Sequence, residues 1–328
     1  MHLSSTMGFG QSLPRHALIY LVSLVVAGMT ANAKVYFITY MSHISNADAC
    51  PSFRSAMFRG VDLIILGLGS EKAPRDTRHF DAKFYEKACG NKPPVALSYL
   101  NYYNETFTEN DIIVFNDGSD VIYLTNEAQV EKVYKTIERD NTILFSAEKN
   151  CFPSPCARSL PHVNTTYKYV NTGGWIARYP VAVKFLTAWV KIQESTGNLD
   201  DQQAVHEFSM GSTNVLADVR MELDYNCMIF QTAWGTPFAS TSGWVTPGEN
   251  TVYMSPDGVL RNTETNTVPL FLHFNGNKSN LANAEKDFRR ANRDPDNHKN
   301  LHYHMKIFMH HYPSSRVCNG TFDHHASR

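Results

Sequence analysis

The sequence predicts an α/β domain whose central, mostly parallel sheet is flanked by helices. Three observations lead there: short β-branched and aromatic runs without polar interruption, stretches of helical period between them, and the regular alternation of the two. A strand apolar on every residue is buried on both faces, and parallel neighbours require crossover helices to join them. At 328 residues the chain is long enough to bury a full core.

In order, Val35–Tyr40 reads as a buried first strand. A helix-compatible stretch, Phe53 to Arg59, leads to a second strand over Asp62–Leu66, closed by Gly67 and Gly69. The polar stretch Glu71 to His79 interrupts the pattern, and helical segments over Phe80–Ala88 and Val95–Tyr103 follow, with Pro93-Pro94 between them. Ile112–Phe115 is the clearest strand, bounded by Asn110-Asp111 before and by Asn116-Asp117-Gly118-Ser119-Asp120 after. A helix over Asn126–Arg139, a strand over Thr142–Phe145, an irregular loop from Cys151 to Pro161 and an amphipathic helix over Pro180–Thr196 complete the middle. Val268–Leu272 forms a last strand ending at His273, and the polar residues beyond Asn283 read as a helix with a frayed end. No internal repeat is evident. The expected organisation is a leader over 1–33, one catalytic domain over 34–280 and a polar, helical tail over 281–328.

Lysine and arginine total 30 against 31 acidic residues, so there is no electrostatic case for nucleic acid or an anionic membrane as partner. Arg15 and His16 precede the apolar run Ala17–Val26, and Ala31-Asn32-Ala33 supplies small residues at cleavage spacing, the pattern of a signal peptide. The run falls short of the roughly 20 residues a bilayer span needs. An uncleaved signal anchor is the alternative, and membrane attachment is expected only in that case. Either reading places the body in the lumen of the secretory pathway, endoplasmic reticulum or Golgi, or outside the cell. Asn-x-Ser/Thr acceptors at Asn104, Asn164, Asn277 and Asn319 agree with that compartment. So does the even set Cys50, Cys89, Cys151, Cys156, Cys227 and Cys318, which oxidising conditions allow to pair; Cys151 and Cys156 are close enough to bridge a small loop.

In open α/β sheets ligands bind beyond the carboxyl ends of the strands, where Asp117 and Asp120 follow a buried strand across a Gly-Ser turn. Both carboxylates can share a divalent cation with a diphosphate; an ordinary acidic turn is the competing account. His273 ends another buried strand, and two carboxylates with one imidazole suit manganese better than magnesium. Asn275-Gly276 forms a tight turn that could offer backbone amides to a phosphate. At about 4 Å and an effective dielectric near 20, each pair of unit charges is worth roughly 4 kcal/mol, so two bare carboxylates would repel a diphosphate and a cation reverses the sign. Lys278 either assists there or is a solvated surface lysine.

Several segments, in order, resemble the glycosyltransferase domain of the procollagen lysyl hydroxylase family. They are Val35–Thr39, Phe53–Gly69, Ile112–Val121 with Asp117-x-x-Asp120, Phe145-Ser146-Ala147-Glu148, Asn171-Thr172-Gly173-Gly174-Trp175-Ile176, Asp200-Asp201-Gln202, Ile229-Phe230-Gln231 and Leu272-His273-Phe274-Asn275-Gly276. The resemblance implies a GT-A-like (Rossmann-like) fold that binds a UDP-sugar through Mn2+, with Asp117, Asp120 and His273 as metal ligands. It places Asp200 and Asp201 near the transferred sugar, Asp201 orienting the acceptor hydroxyl or acting as base; an N-cap for the following helix is the alternative. Glu148, Asn171, Gly173, Gly174, Asn275 and Gly276 match positions lining the donor and acceptor pocket, although Gly173-Gly174 also reads as a plain loop pair. Departures are Asn116 and Ser119, where the family has threonine and an aromatic ring, a charged segment over 71–83 in place of a glycine-rich donor loop, with Lys83 matching a phosphate-facing lysine, and Phe274 for a glycine.

The expected activity is hexose transfer, glucose or galactose, to hydroxylysine or galactosyl-hydroxylysine of a collagen-like protein. The sequence shows no iron and 2-oxoglutarate domain, so no hydroxylase activity is expected, and the histidine-rich tail reads as solvated. The alternatives are a lumenal carbohydrate-binding or adhesion protein without turnover, for which Ser119 and the altered donor loop speak, and a secretory transferase acting on glycan or lipid.

Overall fold

The computed structural model describes residues 33–41, 50–67, 90–153, 165–197, 200–209, 215–216, 218–239, 251–276, 278, 280–291 and 306–307. The expectations for the leader, the helix over 80–88, the segment over 71–83 with Lys83, the acceptors Asn164, Asn277 and Asn319, the cysteines Cys89, Cys156 and Cys318, and the histidine-rich tail lie outside them. The chain divides into two compact units, Met1–Ala33 and Lys34–Arg328, and the fold described is that of the second.

The strands of the main sheet are β1 (Val35–Tyr40), β2 (Leu63–Leu66), β3 (Ile112–Asp117), β5 (Thr142–Glu148), β6 (Tyr169–Arg178), β7 (Val215–Leu216), β8 (Val219–Leu223) and β14 (Lys306–Ile307). Their order is β14-β2-β1-β3-β6-β5-β8-β7. The β14-β2, β2-β1, β1-β3 and β5-β8 pairs are parallel; β6 runs antiparallel to both its neighbours, as does β7 to β8. This is the mostly parallel, GT-A-like arrangement expected, with the β2-β1-β3 order of a doubly wound half. Its continuous apolar runs are buried on both faces. β1 sends Ile38 and Tyr40 into one core and Val35 and Phe37 into the other; β2 divides Ile64 and Leu66 from Leu63 and Ile65, and β3 divides Ile113 and Phe115 from Ile112 and Val114. Each such fully buried side chain contributes on the order of 1.5–3 kcal/mol.

The helices are α1 (Cys50–Phe58), α2 (Lys92–Tyr102), α3 (Glu127–Ile137), α4 (Tyr179–Thr196), α5 (Asp201–Ser209) and α6 (Leu281–Ala291). Pro93 and Pro94 lie in the first turn of α2, where a missing N–H costs nothing because that turn has no intrahelical acceptor to meet. At the start of α3 a capping box closes: Gln129 N donates to Asn126 Oδ1 (3.0 Å) and Asn126 N to Gln129 Oε1 (3.3 Å). α6 packs Leu281, Ala284 and Phe288 into a third core cluster.

Three differences from the sequence expectation matter for the site. The sequence pattern gives no sign of β6, because Asn171-Thr172-Gly173-Gly174 breaks the apolar signal; pairing with β3 on one side and β5 on the other makes it a strand regardless. The Gly173-Gly174 pair is therefore strand, not loop. Second, the strand ending at His273 does not join the main sheet: β13 (Phe271–His273) pairs antiparallel with β4 (Val121–Tyr123) and parallel with β9 (Phe230–Thr232) in a small sheet of its own. A third sheet holds β10 (Phe238–Ala239), β11 (Val252–Met254) and β12 (Leu260–Asn262). Third, the six cysteines do not all pair: Cys50 and Cys151 are each disulfide-bonded, whereas Cys227 is a free thiol buried in the core. Among the described residues no helix is long and apolar enough to cross a membrane.

Candidate active site

β3 ends at Asp117, and the chain turns through Gly118 into β4, so Asp120 precedes a strand that pairs directly with β13. Val121 lies opposite His273, and Phe274 N donates to Asp120 O (2.8 Å). The turn is packed tightly: a Cβ on Gly118 would stand 2.2 Å from Met41 Cγ and 2.6 Å from Tyr40 O. From the other side α1 fixes β4, Ser52 Oγ accepting from Val121 N (3.1 Å) and Ser55 Oγ from Tyr123 N (3.0 Å). The Phe53-Arg54-Ser55 motif thus has a mechanical reason: it holds the strand behind Asp120.

His273 Nε2 lies 3.6 Å from Asp117 Oδ2 and 3.4 Å from Asp120 Oδ1. One ligand atom from each of the three residues can be chosen so that all lie within 4.8 Å of one another. Those gaps are long for hydrogen bonds; ligands bound at about 2.1 Å on neighbouring octahedral vertices stand roughly 3 Å apart. Two carboxylates and one imidazole make the mixed oxygen and nitrogen set that manganese tolerates. Gly173 keeps the space open, since a Cβ there would stand 2.3 Å from His273 Cε1 and 2.7 Å from Asp117 Oδ2.

Two lysines compensate the acidic cluster. Lys92 Nζ is 2.7 Å from Asp117 Oδ1 and 3.2 Å from Asp201 Oδ2; Lys278 Nζ is 3.3 Å from Asp120 Oδ2 and 3.3 Å from Ser119 Oγ. Lys278 is therefore paired as well as partly solvated. Burial pushes the Asp120 carboxyl up, but His273 and Lys278 outweigh it and hold the group well below the usual carboxylate range. Burial alone would lower His273; Asp120 and Asp117 override it and raise the imidazole above its ordinary value. Asp201 goes the other way, burial raising it against the opposing pull of Lys92.

A second constellation adjoins the first. Glu148, at the end of β5, accepts from Asn171 Nδ2 (3.3 Å) and Gln202 Nε2 (2.8 Å) at Oε1 and from Asn275 Nδ2 (2.6 Å) at Oε2. Burial dominates over these donors and pushes its carboxyl up to about 7. The other end of the Asn171 amide is engaged as well, Oδ1 accepting from Gly173 N (3.1 Å). Thr172 spans the two regions, its N–H donating to Gln202 Oε1 (3.3 Å) and its hydroxyl to Asp201 Oδ2 (3.1 Å). A register shift produces this crowding: Phe145 pairs with Trp175 but Ser146 with Asn171, so 172–174 bulge out of the β5 ladder toward the site.

The structure thus brings Asp117, Asp120, His273 and Lys278 together, joins Asp201 to them through Lys92, and gathers Glu148, Asn171 and Asn275 beside them. Gly174 faces Phe230 and Gly276 faces Trp234. Asp200, not Asp201, caps α5: its Oδ1 accepts from Gln203 N (2.8 Å), which leaves Asp201 turned inward. Sequence reasoning missed Lys92, because a lysine before two prolines carries no local mark of function. It also left Gln202 and Thr172 without roles, although both stand inside motifs it had singled out.

A family model described as the PLOD GT domain matches residues 34–290. Among curated relatives, a procollagen-lysine,2-oxoglutarate 5-dioxygenase of Drosophila melanogaster is 28% identical over 230 residues, 68% of this chain and 28% of its own length. The multifunctional procollagen lysine hydroxylase and glycosyltransferase LH3 of Rattus norvegicus is 27% identical over 68% of this chain and 27% of its own. An uncharacterized protein, R699, of Acanthamoeba polyphaga mimivirus is 26% identical over 55% of this chain and 34% of its own. The chain spans about a third or less of the length of these relatives. A solved glycosyltransferase involved in glycosylation of the major capsid of PBCV-1 aligns with 78% of this chain and 98% of its own at TM-score 0.41 and 10% identity. With the match running from the first strand of the sheet through α6, the chain belongs to the PLOD GT domain family, a family of glycosyltransferase domains.

Proposed function

We propose that this chain transfers a hexose, glucose or galactose, from a UDP-sugar to a hydroxyl of hydroxylysine or galactosyl-hydroxylysine in a collagen-like protein, with Mn2+ at Asp117, Asp120 and His273. The observation that carries the reading is the convergence of those three side chains, from β3, the turn after it and β13, within 4.8 Å. The names of the relatives, procollagen lysine hydroxylase and glycosyltransferase, support the acceptor class.

The donor set and the space that Gly173 leaves fit a divalent cation. When bound, such a cation neutralises the charge that gathers on the diphosphate leaving group as the sugar bond breaks. The chain's own groups do the rest. Lys92 and Lys278 stand on either side of the acidic cluster and supply positive charge for an incoming diphosphate. In this reading Asp201 orients the acceptor hydroxyl and takes its proton, a role supported by its inward position between Thr172 and Lys92 and by Asp200 serving as the cap. Glu148 locks the amides of Asn171, Gln202 and Asn275, so the wall beside the metal residues is preorganised. The leader over 1–33 and the disulfide-bonded Cys50 and Cys151 support residence in an oxidising, lumenal compartment.

Purified protein should release UDP from UDP-glucose or UDP-galactose in many turnovers with manganese and stop when a chelator is added. Sustained release in chelator would overturn the metal assignment. No release from any donor would leave the non-catalytic binding protein as the better reading.

A further inference from the structure

Five large apolar side chains are exposed among the described residues, and two of them, Trp234 and Phe152, adjoin the Glu148 constellation. Their rings stand edge to face, centroids 6.1 Å apart at 63°. Each is anchored by a residue that also donates to Glu148. Asn275 Oδ1 accepts from Trp234 N and Ala233 N (3.1 Å each), and the Phe152 carbonyl accepts from Gln202 Nε2 (2.5 Å) and from His206 Nε2 (2.9 Å). One carboxylate therefore fixes, through two amides, the backbone beneath two exposed rings. Trp234 also lies against Gly276, whose Cβ, if present, would stand 3.1 Å from the indole. The glycine backs the ring on that side, and 37% of the residue stays open to solvent.

A large exposed ring that is braced rather than loose loses little entropy when something stacks on it. The electron-rich face of an indole attracts polarised C–H groups. A pyranose offers such a face along its axial C–H groups. Resting on the glycosyltransferase reading above, we infer that Trp234, braced by Phe152 and Asn275, is the stacking platform for a sugar ring of the acceptor, so that the preferred acceptor already carries a monosaccharide. The other exposed aromatics do not compete for this role. Tyr102 and Tyr103 meet edge to face at the far end of α2, ten residues or roughly 15 Å along the helix from Lys92.

The test compares wild type with Trp234→Ala and Trp234→Phe, using methyl β-galactopyranoside and N-acetyl-hydroxylysine as probes. Binding is followed by saturation-transfer NMR, which needs no turnover, and transfer by KM and kcat for each acceptor. Trp234→Ala should weaken the galactoside about tenfold, equivalent to ~1.4 kcal/mol. N-acetyl-hydroxylysine should change by less than about twofold, Trp234→Phe should recover most of the loss, and the transfer defect should fall on KM rather than kcat. Equal weakening of both probes, no weakening of either, or no galactoside binding by wild type would overturn the inference. Absence of UDP release from every donor would sink the transferase reading instead, and the NMR titration would still decide whether Trp234 holds a sugar.

Discussion

Asp120 and Glu148 are carboxylates buried to a similar depth in adjoining regions of one site, yet their surroundings push them in opposite directions. Around Asp120 the partners are ionic: His273, Lys278 and, through Asp117, Lys92. Around Glu148 they are three neutral amides. Charge outweighs desolvation at Asp120, so that carboxylate stays ionised. In the second, neutral donors compensate only in part, and the carboxyl rises to about 7. The first region is built to exchange charge with a ligand and the second to hold shape.

The largest expected effect breaks the ionic region. Asp120→Ala should lower manganese-dependent UDP release by about a thousandfold or more, because it removes a proposed ligand of the cation that would offset the developing charge; steady-state assays at saturating donor read this directly, and near-normal turnover would refute the role. Next is the pH dependence of the amide-bound region. Glu148 has its folded pKa raised from 4.5 to about 7, so between those values the native state holds a proton that the unfolded state has lost. Stability should therefore fall as pH rises through that window, by up to about 3 kcal/mol from this group. Denaturant midpoints at pH 5 and pH 8 measure the slope, and Glu148→Gln should flatten it.

Gly173→Ala sharpens the boundary between the regions. Its methyl would collide with His273 and Asp117, and a loss of about a hundredfold in turnover is expected with a smaller change in melting temperature, since local misplacement of reacting groups is costly. The smallest effect is on stability: Lys92→Met leaves Asp117 and Asp201 without their shared cation and should cost about 2 kcal/mol, less than a fully buried pair because the groups are partly solvated. Manganese should restore more of the melting temperature in that variant than in wild type, whereas an equal shift in both would show that lysine and metal do not serve the same carboxylate.

Legibility in the sequence followed the range of the interaction. Ile112–Phe115 and the Asp117-x-x-Asp120 turn announce themselves locally, because a doubly buried strand must be apolar and the polar residues at its end have nowhere else to go. His273 was readable for the same reason, but not its sheet, since register between β4 and β13 is a long-range fact. β6 hid behind its glycines, which close contacts with His273, Asp117 and Phe230 require and a strand propensity scale disfavours. Lys92 reaches the site only because α2 is laid across the sheet, with Ala96, Tyr99 and Leu100 in the core and Gln193 of α4 donating to Gly90 O ahead of it. The Asp200 and Asp201 roles differ by a single position of the helix start, a choice that spacing leaves open and the Gln203 hydrogen bond decides.

The most direct test is calorimetric titration of Mn2+ with UDP into wild type and into His273→Ala. One site per chain in the wild type, lost or weakened at least about a hundredfold when the imidazole is removed, is the expected result. Equal stoichiometry and affinity in the two proteins would mean that the cation, and the chemistry assigned to it, lie elsewhere.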